Sequence, residues 1–486
     1  MKIALYSHSI PPSVDGVSRR MASLVQHLYK QGHEVLLFTL EKHPQLEPAT
    51  DSTSKPVRCI ALDSAFLKTY PTKRVGVPTL RNMILIWKTI RRERPDVLHC
   101  TLDGMSSFFI LAAKFCNVPV VGSVHTDLQK LTSELNLSPI FGALPNAKER
   151  CESRLLDSCA TVSPSFKVRK ILAERGVHCD HILKTGVNVR QFCPRVSNAE
   201  VRNRLTFGNP DGLLVVYVGR FGPEKRVDKL LLMCGSVDNV YLALIGDGVM
   251  GPALSERHGC WSRSGQRRTK GGVYCRTGFL DHEDLAPVYA SADVHVSCSH
   301  FETLGNTVLE AHACGTTVVV PRAQGFVDTV NHQEDGYLFD GARVAKGAAF
   351  LARLRDDRGL CARMGERGRK KVQSQSPEMV ARDVQEWYGR ARASAKCKTA
   401  TDSLAVRTAK IFSSFVSIIM GAGTCLIILM VVALWFAMEA LEGSGRGVIC
   451  YCQNARNVLG NSSFFNKISN SYKALTNIPV EREAAR

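Results

Sequence analysis

The sequence predicts two doubly wound α/β domains in tandem, each a parallel sheet with helices on both faces. Three observations carry this expectation. At 486 residues the chain is longer than one hydrophobic core usually holds. Its Val/Ile/Leu-rich runs are short, continuous and separated by helix-length segments, the pattern of strands buried on both faces. That pattern runs once, lapses, and starts again.

In the first half the strand-like runs fall at 2–8, 33–40, 96–100, 118–125 and 160–164; in the second they fall at 213–219, 241–246, 273–279, 294–299 and 316–321. Periodicity lapses around 186–199, where Pro194 intervenes, so a linker is expected between a first domain at 1–190 and a second at 200–375. The crevice between two such domains, at the carboxyl ends of the strands, is the expected ligand site. Ser376 and Pro377 make a good helix start, and 376–395 predicts a helix that presents Val380, Val384 and Trp387 on one side and packs back on the body. Residues 256–272 predict an inserted polar loop whose Arg263, Arg267, Arg268 and Lys270 either stay solvated or touch a membrane.

Residues 411–438 carry no charged side chain, and at about 1.5 Å per helical residue that run exceeds the roughly 30 Å hydrocarbon thickness of a bilayer. A transmembrane helix is predicted there. The alternative, a buried core helix, fits neither the length nor the glycines at Gly421 and Gly423. Arg390, Arg392, Lys396, Lys398, Arg407 and Lys410 precede the run, whereas only Arg446 and Arg456 follow over a similar distance. The body is therefore expected on the cytosolic or stromal side of a single-pass protein. The opening Met1-Lys2-Ile3-Ala4-Leu5 runs into a turn and is too short and polar for a signal peptide. The tail, 439–486, has a weak apolar pattern, an Asn461-Ser462-Ser463 sequon, and a Cys450-Tyr451-Cys452 pair open to palmitoylation or to plain burial.

A formal charge of +19 favours partners bearing phosphate or carboxylate: nucleotides, anionic lipid surfaces or nucleic acid. No aromatic residues interleave with the basic loop, so nucleic acid is not expected. The 17 cysteines are scattered singly, with no CxxC pair and no Cys/His spacing suited to zinc. Most are expected to be reduced core thiols, and no metal site is expected.

The most informative segment is Ser299-His300-Phe301-Glu302-Thr303-Leu304-Gly305-Asn306-Thr307-Val308-Leu309-Glu310, set between two apolar strands and closed by Gly315. Glu302 is expected at the carboxyl end of the 294–299 strand and Glu310 two turns into the next helix, so that both carboxylates face the crevice and suit the hydroxyls of a sugar and a ribose. Gly305 and Asn306 leave helix-start amides open to a phosphate or sugar. Two acids near a helix start are, taken alone, more often a solvated face.

A second segment, Val218-Gly219-Arg220-Phe221-Gly222-Pro223-Glu224-Lys225, places Arg220 and Lys225 at the end of the first strand of the second domain. Two cations there can neutralise a diphosphate, and they attract it more strongly as a leaving nucleoside diphosphate gains charge. The alternative is a surface salt bridge to Glu224. In the first domain, Gly16 in the loop after strand 2–8 allows a close backbone approach to a ligand, although an ordinary turn explains it almost as well. His125 closes the 118–125 strand at a position where such folds place reacting groups, against the alternative of a structural histidine.

Gly219-Arg220 with Lys225, Gly246-Asp247-Gly248, Thr277-Gly278-Phe279-Leu280, Tyr289-Ala290-Ser291-Ala292-Asp293-Val294 and the Glu302-to-Glu310 segment together resemble the retaining family 4 glycosyltransferases of the GT-B fold, built from two Rossmann-like domains facing a cleft. The resemblance covers about residues 1–395. Within the family, His125-Thr126, residues 279–285 and Glu302-Thr303-Leu304-Gly305 look most like plant and cyanobacterial sulfoquinovosyltransferases, which move sulfoquinovose from UDP onto diacylglycerol. By position, the resemblance implies Arg220 and Lys225 at the donor diphosphate, Glu310 at the ribose hydroxyls, Glu302 at the donor sugar, Leu304, Gly305 and Asn306 supporting sugar and phosphate, Gly278 and Phe279 beside the base, and His125 near the reacting carbon. It also implies front-face transfer with retention and no cofactor beyond the nucleotide-sugar donor.

Asp15-Gly16 stands where many members carry two glycines, Asn188 follows Gly186-Val187 in place of an aspartate, and Gln324-Gly325 replaces a glycine pair. These departures leave the sugar open. Sulfoquinovosyl transfer to diacylglycerol is the leading expectation, since a membrane anchor and a basic body suit an acceptor in an anionic bilayer. Transfer of mannose, glucose or galactose to a lipid is the second, and a catalytically silent membrane adaptor with this fold is the third.

Overall fold

The computed structural model describes residues 1–46, 57–67, 70–127, 152, 156, 161–258 and 271–401. Two parallel sheets dominate these residues. The first has seven strands, β1 Lys2–Ser7, β2 Glu34–Thr39, β3 Arg58–Ala61, β6 Val97–Thr101, β7 Val120–Ser123, β8 Thr161–Ser163 and β9 His181–Ile182, in the order β3-β2-β1-β6-β7-β8-β9. The second has six, β10 Leu213–Val218, β11 Val240–Gly246, β12 Gly272–Thr277, β13 Val294–Val296, β14 Thr317–Pro321 and β15 Gly336–Phe339, in the order β12-β11-β10-β13-β14-β15. A short antiparallel hairpin, β4 Ser64–Leu67 with β5 Tyr70–Gly76, stands apart.

In both sheets the order reverses beside the first strand, which opens a crevice at the carboxyl ends there. The strands are almost fully buried because helices cover both faces. In the second sheet Leu214 and Val216 pack into one apolar cluster, while Leu213, Val215 and Tyr217 pack into another. Every strand expected in the sequence is present, but several end sooner. The fifth run of the first half keeps only three residues, and β13 stops at Val296, after which Ser297 and Ser299 bond within the loop. Glu302 therefore lies on a loop beyond the strand rather than at its end. Glu310 sits one turn, not two, into its helix, Asn306–Ala313.

The helix Pro377–Thr401 lays Val380, Ala381, Val384, Trp387, Tyr388 and Ala391 on the same core as Ile3, Leu5 and Val121 of the first sheet. A fully buried large apolar side chain contributes about 1.5–3 kcal/mol over an exposed one, so this stripe ties the last described helix to the first half of the chain. Ten described cysteines are free thiols, all buried except Cys59. Among the described residues no helix is long and apolar enough to cross a membrane. The predicted membrane span at 411–438, the tail at 439–486 and the basic residues Arg263, Arg267, Arg268 and Lys270 lie outside the described residues.

Candidate active site

Two adjacent strands of the second sheet, β10 and β13, deliver the charged groups. After β10 the chain turns through Gly219 and Arg220 into a tight helical turn, Pro223–Lys225. Glu224 tucks under that turn and is buried, with an oxygen 3.9 Å from Arg220 Nε. The alternative of an Arg220–Glu224 salt bridge is therefore present as a pair, with its carboxylate enclosed beneath the loop rather than on the surface. Lys225 points the other way and places Nζ 3.0 Å from Glu302 Oε2.

The loop after β13 is held from several sides. Glu302 N–H donates to Gln324 Oε1 at 2.8 Å, and Gln324 Nε2 reaches Asp127 Oδ2 at 3.3 Å across the crevice. Asp127 is clamped by both guanidinium nitrogens of Arg175, at 2.7 and 3.1 Å. Thr303 Oγ1 donates to the carbonyl of His125 at 2.9 Å, a second bond between the halves. Gly305, with φ +95°, caps the helix in a conformation glycine adopts without strain. Leu304 packs against the core of the second sheet.

Glu310 is buried between the halves. Its Oε2 accepts from Tyr289 Oη at 3.0 Å and its Oε1 lies 3.4 Å from Arg19 Nη1 of the first half. Burial pushes its carboxyl above the usual range, while Arg19 and the Tyr289 hydroxyl oppose that rise. A cavity of about 1280 Å³ opens beside it, with Arg19, Asn306 and Leu309 in its wall.

Gly16 starts the helix Gly16–Lys30, which Asp15 caps by accepting from Ser18 N–H at 2.8 Å. A Cβ at Gly16 would fall 2.6 Å from Asn306 Nδ2, so a larger residue there requires the Asn306 amide to swing aside. His125 follows β7 by two residues and is buried, with Nε2 2.8 Å from Ser123 Oγ. Burial, with Arg20 and two neighbouring histidines adding to it, drives its imidazole well below the normal histidine range. It is neutral at physiological pH.

The structure thus brings Gly16, Asn306 and Glu310 to one cavity wall, while the loop after β13, which carries Glu302, Leu304 and Gly305, is tied to Lys225 of the turn after Arg220 and to the backbone of His125. Gly278 and Phe279 follow β12, at the edge two strands from β10; Gly278 has φ +98° and Phe279 is exposed. Neither makes a described contact to the charged cluster. Arg19, Asp127 and Arg175 were not among the residues expected at the site, and Gln324 stood out only for replacing a glycine. Arg19 sits in the first turn of the helix Gly16–Lys30, directly after the expected loop, whereas nothing local marks Gln324 as a bridge.

Residues 14–204 match the family described as Glycosyltransferase Family 4, and residues 204–371 match Glycosyl transferases group 1. The chain belongs to this glycosyltransferase family, and its two facing parallel sheets are the GT-B fold. Among its relatives, a GDP-mannose-dependent alpha-mannosyltransferase of Mycobacterium tuberculosis (strain CDC 1551 / Oshkosh) is 30% identical over 76% of this chain and 93% of its own length. Sulfoquinovosyl transferase SQD2 of Arabidopsis thaliana is 28% identical over 76% of this chain and 70% of its own. In fold, the chain is similar to Anabaena HepE, solved in complex with UDP and glucose, with a TM-score of 0.60 and 16% identity over 79% of this chain and 98% of that one.

Proposed function

We propose that this enzyme transfers a sugar from a nucleoside diphosphate to a lipid acceptor, with UDP-sulfoquinovose as donor and diacylglycerol as acceptor. The observation that carries the reading is the pairing of Lys225 with Glu302 beside Arg220, next to a buried Glu310 that already accepts hydrogen bonds. That arrangement offers two cations to a diphosphate and two carboxylates to the sugar and ribose hydroxyls flanking it. The 28% identity to the Arabidopsis protein supports the choice of donor. The uncharged run at 411–438 supports a lipid acceptor reached from the membrane surface.

In this reading the bond from the anomeric carbon to the diphosphate oxygen breaks while the acceptor hydroxyl oxygen attacks from the same face. The hydroxyl proton passes to the departing phosphate oxygen, giving a glycolipid and a nucleoside diphosphate. Lys225 and Arg220 stabilise the charge that develops on that leaving group. His125, held by burial well below the usual histidine range, is a weak proton acceptor, and the proton goes to the departing phosphate instead.

The second reading, mannosyl transfer from GDP-mannose, is favoured by the 30% identity to the mycobacterial enzyme. Detergent-solubilised full-length protein given diacylglycerol and, separately, UDP-sulfoquinovose, UDP-glucose, UDP-galactose and GDP-mannose separates them by product mass. Sulfolipid from the first donor alone supports the lead reading; a hexosyl lipid from another donor replaces it.

A further inference from the structure

Behind His125 runs a chain of buried polar groups that the donor site does not use. Ser123 Oγ lies 2.8 Å from His125 Nε2 and 2.8 Å from His99 Nε2, and His99 Nδ1 lies 2.7 Å from the hydroxyl of Tyr388. Tyr388 and His99 are 0% exposed, Ser123 1% and His125 7%, so water does not complete these bonds. The groups come from three places in the sequence: β6, β7 with the loop after it, and the helix Pro377–Thr401.

The direction of the bonds follows from counting donors and acceptors. Among the described residues the Tyr388 hydroxyl has one polar neighbour, His99 Nδ1. If that nitrogen carried the proton, the hydroxyl hydrogen would be buried with no acceptor, at a cost of about 1–3 kcal/mol. Tyr388 therefore donates, and His99 Nδ1 accepts. Burial keeps His99 neutral, its pKa lowered to about 3, so its single N–H is on Nε2 and donates to Ser123 Oγ. Ser123 then has its own hydrogen left to give, and His125 Nε2 is the group in range to take it.

We propose that Tyr388 acts as a positioning residue which, through His99 and Ser123, holds His125 as the tautomer protonated at Nδ1. The nitrogen left to meet a ligand is then an N–H donor. Resting on the proposed transfer reaction, this gives His125 the role of donating a hydrogen bond to an oxygen of the donor sugar. It also places the last described helix within the machinery of the site, since the hydroxyl that starts the chain sits on it.

Long-range proton–nitrogen correlation spectra of full-length protein in detergent, labelled with ¹⁵N-histidine and assigned by the signals lost in His125→Gln, read the tautomer directly. The expected result is a protonated Nδ1 and an unprotonated Nε2 on His125. Tyr388→Phe keeps the ring in the core and removes the fixed direction, so both nitrogens should move toward intermediate shifts; Ser123→Ala should do the same without touching the helix. A His125 protonated at Nε2 in the wild type, or nitrogen shifts unmoved in both variants, overturns the proposal. If the tautomer is as stated but His125→Gln transfers sugar at the wild-type rate, the relay stands and the contact to the sugar is overturned, whichever donor the enzyme takes.

Discussion

Lys225 Nζ stands 3.0 Å from Glu302 Oε2, joining the turn after β10 to the loop after β13. Both side chains are partly open to the crevice, at 18% and 25% exposure, so the pair itself adds about 1 kcal/mol or less to stability. Its worth lies in placing a cation and a carboxylate side by side. Lys225→Ala should unfold at the wild-type denaturant midpoint yet lose between about 10- and 150-fold in kcat/KM, the loss of one or more charge-assisted bonds to a diphosphate. Steady-state kinetics beside a urea melt checks both halves of this expectation.

Glu310 depends on Tyr289. Removing the hydroxyl in Tyr289→Phe takes away a bond that holds the carboxyl down against burial, so its pKa should rise further. Donor KM in the variant should then increase as pH falls from 7.5 to 5.5, while the wild-type KM changes less. A KM that follows the same pH course in both proteins would separate Glu310 from donor binding.

Gly16→Ala brings a methyl group to 2.6 Å from Asn306 Nδ2. The helix after it gains a residue of better helical propensity, so stability should hold or rise slightly. The Asn306 amide must swing aside to make room, which takes its Nδ2 off the Gly16 carbonyl. The expected outcome is a fall of up to about 10-fold in kcat/KM with an unchanged melt; equal turnover would show that the Asn306 placement is dispensable.

Buried histidines make the fold sensitive to acid. Burial lowers His99 and His295 to about 3 and His312 to about 4, from the usual histidine value of about 6.5. The unfolded chain takes protons near 6.5 that the folded chain refuses, so it binds more protons below that pH and stability falls as pH drops toward 4. Each histidine contributes a slope of about 1.4 kcal/mol per pH unit inside that window. Denaturant midpoints measured at pH 7.5, 6.0 and 5.0 should decline across the series, and His295→Gln should decline less steeply.

Much of this architecture was legible in the sequence because parallel strands buried on both faces need continuous apolar runs, as in Leu213-Leu214-Val215-Val216. The hairpin Ser64–Leu67 with Tyr70–Gly76 was not, since Pro71, Lys73 and Arg74 interrupt any such run and Phe66 is exposed beneath the Arg74 guanidinium. Nor was β15, where Gly336 and three apolar residues are too few to announce a strand. For the site, the strand-end cations and acids stood out by position and type. What joins the halves did not: Gln324 holds a φ of +39° and reaches both Glu302 and Asp127, and such a bridge between residues 197 apart leaves no local pattern.

Glycosyl transfer in this crevice requires that each glycolipid formed release one nucleoside diphosphate. Its most direct test measures glycolipid and nucleoside diphosphate together, from wild type, Lys225→Ala and Glu310→Ala, with diacylglycerol and each donor of the panel. The wild type should give equal amounts of the two products, and the folded variants at least about 10-fold less of both. Donor binding without product in the wild type, or undiminished product from both variants, would contradict it.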